Sequence, residues 1–184
     1  MAVARKLFRL FKSFNEVQTI IKTLKADSKP VDKYLAVLTR LAFLFYWFFD
    51  NLGVLIKIKF ITSLNAANAV RRANKAWLTG LVLTIIGAIR TLIKLAHESK
   101  QLRELKARGS DSMDETQLKE QVTKLKTSRR TAIFNLIKAL GDSTTASQGL
   151  GYPKRFIGVE FNDGIVGVGG FTSAFLNCYQ QYPK

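Results

Sequence analysis

The chain has one histidine, His97, and one cysteine, Cys178. His97 precedes Glu98, but Ser99, Lys100 and Gln101 follow, so the second histidine of a zinc-binding HExxH helix is missing. A single imidazole and a single thiolate leave a tetrahedral N/S metal site short of ligands unless several carboxylates join them. Asp111, Asp114 and Glu115 lie close in sequence but lack the central glycine of an EF-hand loop, and read as solvated loop. A GxGxxG phosphate cradle starting at Gly167 would need glycine at position 172, which is Thr172, and no Walker lysine and serine follow. No nucleophile, base and orienting group can be assembled. The residues therefore predict no catalytic residue, no metal site and no cofactor, and a protein that is not an enzyme.

What remains is the chemistry of charge and apolar surface. A net charge of +16 over 184 residues, with an isoelectric point near 10.2, calls for an anionic partner, either nucleic acid or an acidic lipid surface. Hydrophobic residues make up 47% of the chain and gather into long blocks, which favours lipid over nucleic acid. The stretch Val3 to Lys25 shows how the two properties combine. On a helix, Val3, Leu7, Leu10, Phe11, Phe14, Val17, Ile21 and Leu24 form one apolar stripe. Arg5, Arg9, Lys12, Glu16, Thr19 and Thr23 lie opposite. A cationic back face behind an aromatic-bearing stripe is the pattern of a helix lying in a membrane interface, with the stripe in lipid and Arg5, Arg9 and Lys12 on anionic headgroups. The alternative is a surface helix packed on a protein core. Charges threaded through the first residues, with no small-residue cleavage site, argue against a secretory signal. Basic amphipathicity is also the mark of a mitochondrial presequence, but Glu16 and the unbroken run into Lys25 count against it.

The elements around this stretch are helical and apolar. Asp27 or Ser28 is the expected N-cap of a second helix opened by Pro30. From Tyr34 to Phe49 the only charge is Arg40, and Leu41 to Phe49 is apolar on every face, so this helix is lipid-facing or buried all round. Asp50-Asn51 is expected to break it, Leu52 to Leu64 to resume it, and Asn65 to Lys75 to connect. A second all-round apolar segment runs from Ala76 to Ile89, opened by Trp77 and closed by Arg90 and Lys94. From His97 to Arg108 the chain is charged. A helix is expected from Gln117 to Leu140, with Leu118, Val122, Leu125, Ala132, Leu136 and Leu140 on a seam that also holds Arg129, packed antiparallel on its predecessor. Gly141 to Gly151 reads as a connector. The last segment, Gly164 to Tyr182, has no charge, and its glycines would destabilise a helix in water by about 1 kcal/mol each. In lipid they allow close backbone approach, and Gly167, Gly170 and Ala174 are the expected self-association surface, with packing on the first two apolar segments as the alternative. The expected fold is all-α and membrane-associated. It comprises an amphipathic helix (1–26), apolar embedded helices (31–96), a basic helical hairpin and linker (97–155) and a glycine-rich transmembrane segment (156–184).

Read in order, Ala4 to Gln18 (ARKLFRLFKSFNEVQ), Leu44 to Leu52 (LFYWFFDNL) and Asn162 to Ser173 (NDGIVGVGGFTS) resemble successive landmarks of the peroxin-11 family, the peroxisomal membrane-elongation proteins. The resemblance covers nearly the whole chain and rests on pattern and order. Members usually carry a further helical region ahead of the segment matching Arg5 to Lys25, which this match lacks. The resemblance implies a peroxisomal membrane protein whose amphipathic helix enters the cytosolic leaflet. It also implies a homo-oligomer that tubulates membrane before fission and recruits fission machinery. A pore-forming or metabolite-transport protein is the second class that fits, with Arg40 or Arg90 selecting anions. Basic residues flank every apolar block, so charge bias alone sets no orientation.

Overall fold

The computed structural model describes residues 12–26, 29–107 and 115–182, of which 88% are helical and none form strands. Helix α1 spans Lys12–Lys25, α2 Pro30–Lys57, α3 Ala66–Ala107, α4 Glu115–Gln148, α5 Tyr152–Ile157 and α6 Asp163–Gln181. The long helices make an antiparallel row in which each meets only its neighbours, in the order α1, α2, α3, α4, α6, with α5 touching α4 alone.

Several expected boundaries move, each for a local reason. Asp50 and Asn51 do not break α2, which runs on to Lys57. Asp50 is buried, and the Asn51 amide donates to Ser13 Oγ of α1 at 3.2 Å, so the polar pair serves an interhelical contact. The helix ends in a Schellman-type closure, in which the Phe60 N–H reaches Leu55 O while Lys59 takes a left-handed φ of 61°. Asp27 and Ser28 lie outside the described residues. The N-cap of α2 is Lys29, which makes no side-chain cap, and Pro30 opens the first turn. Asn65 to Lys75 is helix rather than connector, because Asn65 Oδ1 accepts from Ala67 N at 2.8 Å and caps an alanine-rich first turn. Helix α4 likewise continues through Gly141 to Gln148. Ser143, Thr144 and Ser147 return their hydroxyls to carbonyls one turn back, so these polar residues are satisfied inside the helix.

The core is built from small residues. Among the described residues the buried apolar positions are seven alanines with Val54 and Leu81, while Phe45, Phe48, Val82, Ile86 and Ile93 face outward. That inverts the soluble pattern, in which large apolar side chains go inside. Helices α2 and α3 are long and apolar enough to cross a membrane, and only 6% and 11% of their apolar windows are buried by the rest of the protein. A soluble core helix would be mostly covered. Small residues at helix contacts with large ones outside is the arrangement that lipid permits, so this is an all-α, membrane-associated protein.

The 42 residues of α3 extend about 63 Å, twice a hydrocarbon core of about 30 Å. The surplus carries the charges. It pairs with the first half of α4 through Leu118, Val122 and Leu125, while Arg129 and Leu140 turn outward from the expected seam. The second half of α4 runs beside the apolar part of α3, where Ala139 and Ala146 pack on Leu81 with Phe43, Trp77 and Ile85 around them. The stretch grouped as 97–155 is thereby divided into a projecting charged hairpin and a packed half.

Candidate membrane-contacting surfaces

Helix α1 meets α2 through a mostly polar face. Ser13, Glu16, Thr19, Ile20 and Thr23 turn inward, whereas Phe14 is 64% exposed and Val17, Ile21 and Leu24 face outward, with Asn15, Gln18, Lys22 and Lys25 exposed beside them. The polar face was expected on anionic headgroups; the polar groups of α2 draw Ser13 and Glu16 inward instead. Glu16 pairs with Arg40 at 3.4 Å, and Ser13 meets Asn51. The Lys12 ammonium sits 4.7 Å from the centre of the Trp47 ring, so Lys12 has an aromatic partner within the protein. Thr19 and Thr23 satisfy their hydroxyls on Asn15 O and Thr19 O, each at 2.8 Å, and need nothing from α2. Val3, Arg5, Leu7, Arg9, Leu10 and Phe11 lie outside the described residues.

The α2–α3 contact uses aromatics against glycine. Phe43 lies over Gly80, where an added Cβ would sit 3.0 Å from the ring, and Tyr46 stacks on Trp77 with centroids 5.5 Å apart. Arg90 closes the far end on Asp32 at 3.1 Å. Both arginines named as anion selectors are therefore ion-paired. A groove of about 470 Å³ does run along this side, lined by Asp32, Thr39, Arg40, Lys138 and Asp142.

Helix α6 is held by close backbone approach. A Cβ on Gly141 would lie 2.5 Å from Gly169 O, and one on Gly169 would strike Gly141 O at 2.7 Å and collide with Thr144 Oγ1. Ser173 is buried and hydrogen-bonds Asp142. At the polar end, Lys138 donates to Asn177 and Gln180, both at 3.0 Å. Arg130 stacks between Phe134 and Tyr179 and also donates to the Tyr179 hydroxyl. The expected glycines are elsewhere: Gly167 and Ala174 are exposed, and nothing lies within 4 Å of a Cβ built on Gly167 or Gly170. They share an open face with Val168, Phe171 and Phe175. Packing of this segment on the first two apolar helices is excluded, since α6 meets only α4. Gly141 and Gly169 were not singled out from the sequence. A signal existed in Ala132, Ala139 and Ala146, seven apart and all buried, which mark α4 as a small-residue packing helix.

Away from these seams, Lys154 and Glu160 pair at 2.8 Å, which holds the glutamate below and the lysine above its usual range. Among the described residues no three His, Cys, Asp or Glu side chains are grouped to hold a metal ion.

The family model described as Peroxisomal biogenesis factor 11 (PEX11) matches residues 1–182. The chain is also 24% identical over 197 residues to the Peroxisomal membrane protein 11 homolog of Dictyostelium discoideum, covering 98% of this chain and 74% of that protein. No solved structure matches it. With two helices fit to cross a bilayer and a family match over nearly its whole length, the chain belongs to the Peroxisomal biogenesis factor 11 family, as a peroxisomal membrane protein involved in peroxisome proliferation.

Proposed function

We propose that the protein elongates the peroxisomal membrane by placing the apolar face of its N-terminal helix in the cytosolic leaflet and by crowding copies of itself there. The observation that carries this reading is the direction of α1: Lys12, Ser13 and Glu16 are engaged with α2, and Phe14, Val17, Ile21 and Leu24 are turned outward. Each such side chain removed from water contributes about 1.5–3 kcal/mol, enough for the stripe to hold in acyl chain. Arg5, Arg9 and anionic headgroups then add about 1 kcal/mol per charge. Helices α2 and α3 cross the bilayer, and the charged hairpin projects into the cytosol. The turn between α1 and α2 lies at that same end of the row, which sets Ile21 and Leu24 at the cytosolic leaflet. Lys138 and Asp142, at the depth of the α3 span, are supported by Asn177, Gln180 and Ser173, as polar groups within a bilayer require.

Self-association through the open face of α6 supplies the crowding, with Gly167, Gly170 and Ala174 admitting a second copy closely. The partners are thus an anionic phospholipid membrane and the protein itself, with fission machinery following from the family; nucleic acid is not one. The test is Phe11→Glu with Phe14→Glu in reconstituted anionic vesicles. Each charge costs about 2.5–3.5 kcal/mol at bilayer depth, so tubulation should be lost. Unchanged tubulation would end the proposal.

A pore is the second reading, favoured by the groove lined by Arg40, Lys138 and Asp142. The pairing of Arg40 with Glu16 weighs against it. Anion flux through proteoliposomes that falls on Lys138→Met, with tubulation unchanged, would select the pore.

A further inference from the structure

The end of the row opposite the charged hairpin carries an apolar surface that neither α1 nor α6 explains. Two segments build it. The loop after α2 exposes Phe60, 77% accessible, with Ile58 beside it; the stretch after α4 exposes Phe156, 75% accessible, with Ile157 and Val159. The two belong to one end of the protein. Lys57, Ala66, Asn74, Gly149 and Leu150 line a common depression, and the Asn74 amide nitrogen would lie 2.7 Å from a Cβ on Gly149. Cations are interleaved with the apolar residues: Lys57 and Lys59 on the first segment, Lys154 and Arg155 on the second, with Arg71 on the wall of the depression. Glu160 and Asp163 are the nearby counter-charges, and Glu160 is already held by Lys154.

We infer that this end is a second lipid-docking foot, in which Phe60, Phe156, Ile157 and Val159 enter the headgroup region of the membrane face opposite the hairpin while Lys59 and Arg155 bind anionic headgroups. This rests on α2 and α3 crossing the bilayer. A short loop joining two antiparallel spans has to emerge at a membrane surface, and the contact between Asn74 and Gly149 carries α5 to the same surface. The residues that meet lipid there should be aromatic and aliphatic with basic neighbours, and these are. Soluble protein would instead place Phe156 under cover, and the left-handed turn at Gly158 would not be needed to hold Ile157 and Val159 outward together.

The experiment uses the full chain with Cys178→Ser and a single cysteine at Phe156, labelled with an environment-sensitive dye and reconstituted in vesicles of phosphatidylcholine with phosphatidylserine. Quenchers are placed shallow in the lipid, deep in the lipid, or in the water. Shallow lipid quenching that exceeds both others supports the foot, and Lys59→Gln with Arg155→Gln should reduce it by about fivefold per charge in these vesicles. Quenching from water alone overturns it. A matched label at Phe48, midway along α2, reports the spanning helices separately. Deep quenching at Phe48 with aqueous quenching at Phe156 would leave the spans standing and remove the foot. Aqueous quenching at Phe48 with lipid quenching at Phe156 would remove the spans and, with them, the foot's place on the face opposite the hairpin.

Discussion

Helices α1 and α6 are the two edges of the row, and each turns large apolar side chains outward while meeting a single neighbour. They are attached in different ways. Helix α1 is held by polar groups: an ion pair between Glu16 and Arg40, a hydrogen bond from Asn51 to Ser13, and Lys12 over Trp47. Helix α6 has polar contacts too, from Lys138, Arg130 and Asp142, but adds a fit that α1 lacks, with Gly141 and Gly169 bringing two backbones together. A seam of side-chain pairs can exchange one partner for another, whereas a glycine contact between backbones tolerates no added atom. The edge proposed to insert into lipid is therefore the adjustable one, and the edge proposed to meet another copy is rigid.

The largest effect should come from breaking the rigid edge. Gly169→Leu forces a side chain into Gly141 O and Thr144, and should cost about 3 kcal/mol or more and expose α6 to protease. Gly170→Leu, one residue on, meets open space and should leave the fold and protease pattern unchanged. Its effect should appear instead as loss of crosslinked dimers and larger assemblies. If Gly170→Leu unfolds the protein, or if it crosslinks at the parental yield, α6 has been assigned the wrong open face.

The adjustable edge should respond to charge. Arg40→Gln removes the ion pair with a partly exposed Glu16, a loss of about 1 kcal/mol or less, and should make α1 more accessible to protease while α2 to α6 stay intact. Removing a cation from the other edge sharpens the contrast. Lys138→Met deletes two hydrogen bonds to α6, yet the glycine seam remains, so α6 should stay docked and the melting temperature should fall only slightly. Release of α6 by this substitution would show that its polar contacts, and not the glycine fit, hold it.

Much of this was legible beforehand. Apolar periodicity set the helices of the first half, and the separation of Phe14, Val17, Ile21 and Leu24 from Glu16, Thr19 and Thr23 holds in the fold. Periodicity divides a helix into two faces but does not say which face meets protein, and here the polar one does because Arg40 and Asn51 wait on α2. Glycine and polar residues misled in a consistent direction. Gly141, Ser143 and Thr144 read as a connector, whereas in the packed helix Gly141 is a contact and the hydroxyls bond back to the helix. The same solvent change explains why Asp50-Asn51 joins two helices instead of ending one.

The orientation of α1 is the central claim, and a spin-label scan along it in anionic proteoliposomes tests it most directly. Labels at Phe14, Val17, Ile21 and Leu24 should be open to oxygen dissolved in the lipid and closed to a water-soluble relaxant, while labels at Ser13, Glu16, Thr19 and Thr23 should be shielded from both by α2. A scan in which the second set faces water, or in which the first set is reached by the water-soluble relaxant, would contradict the account.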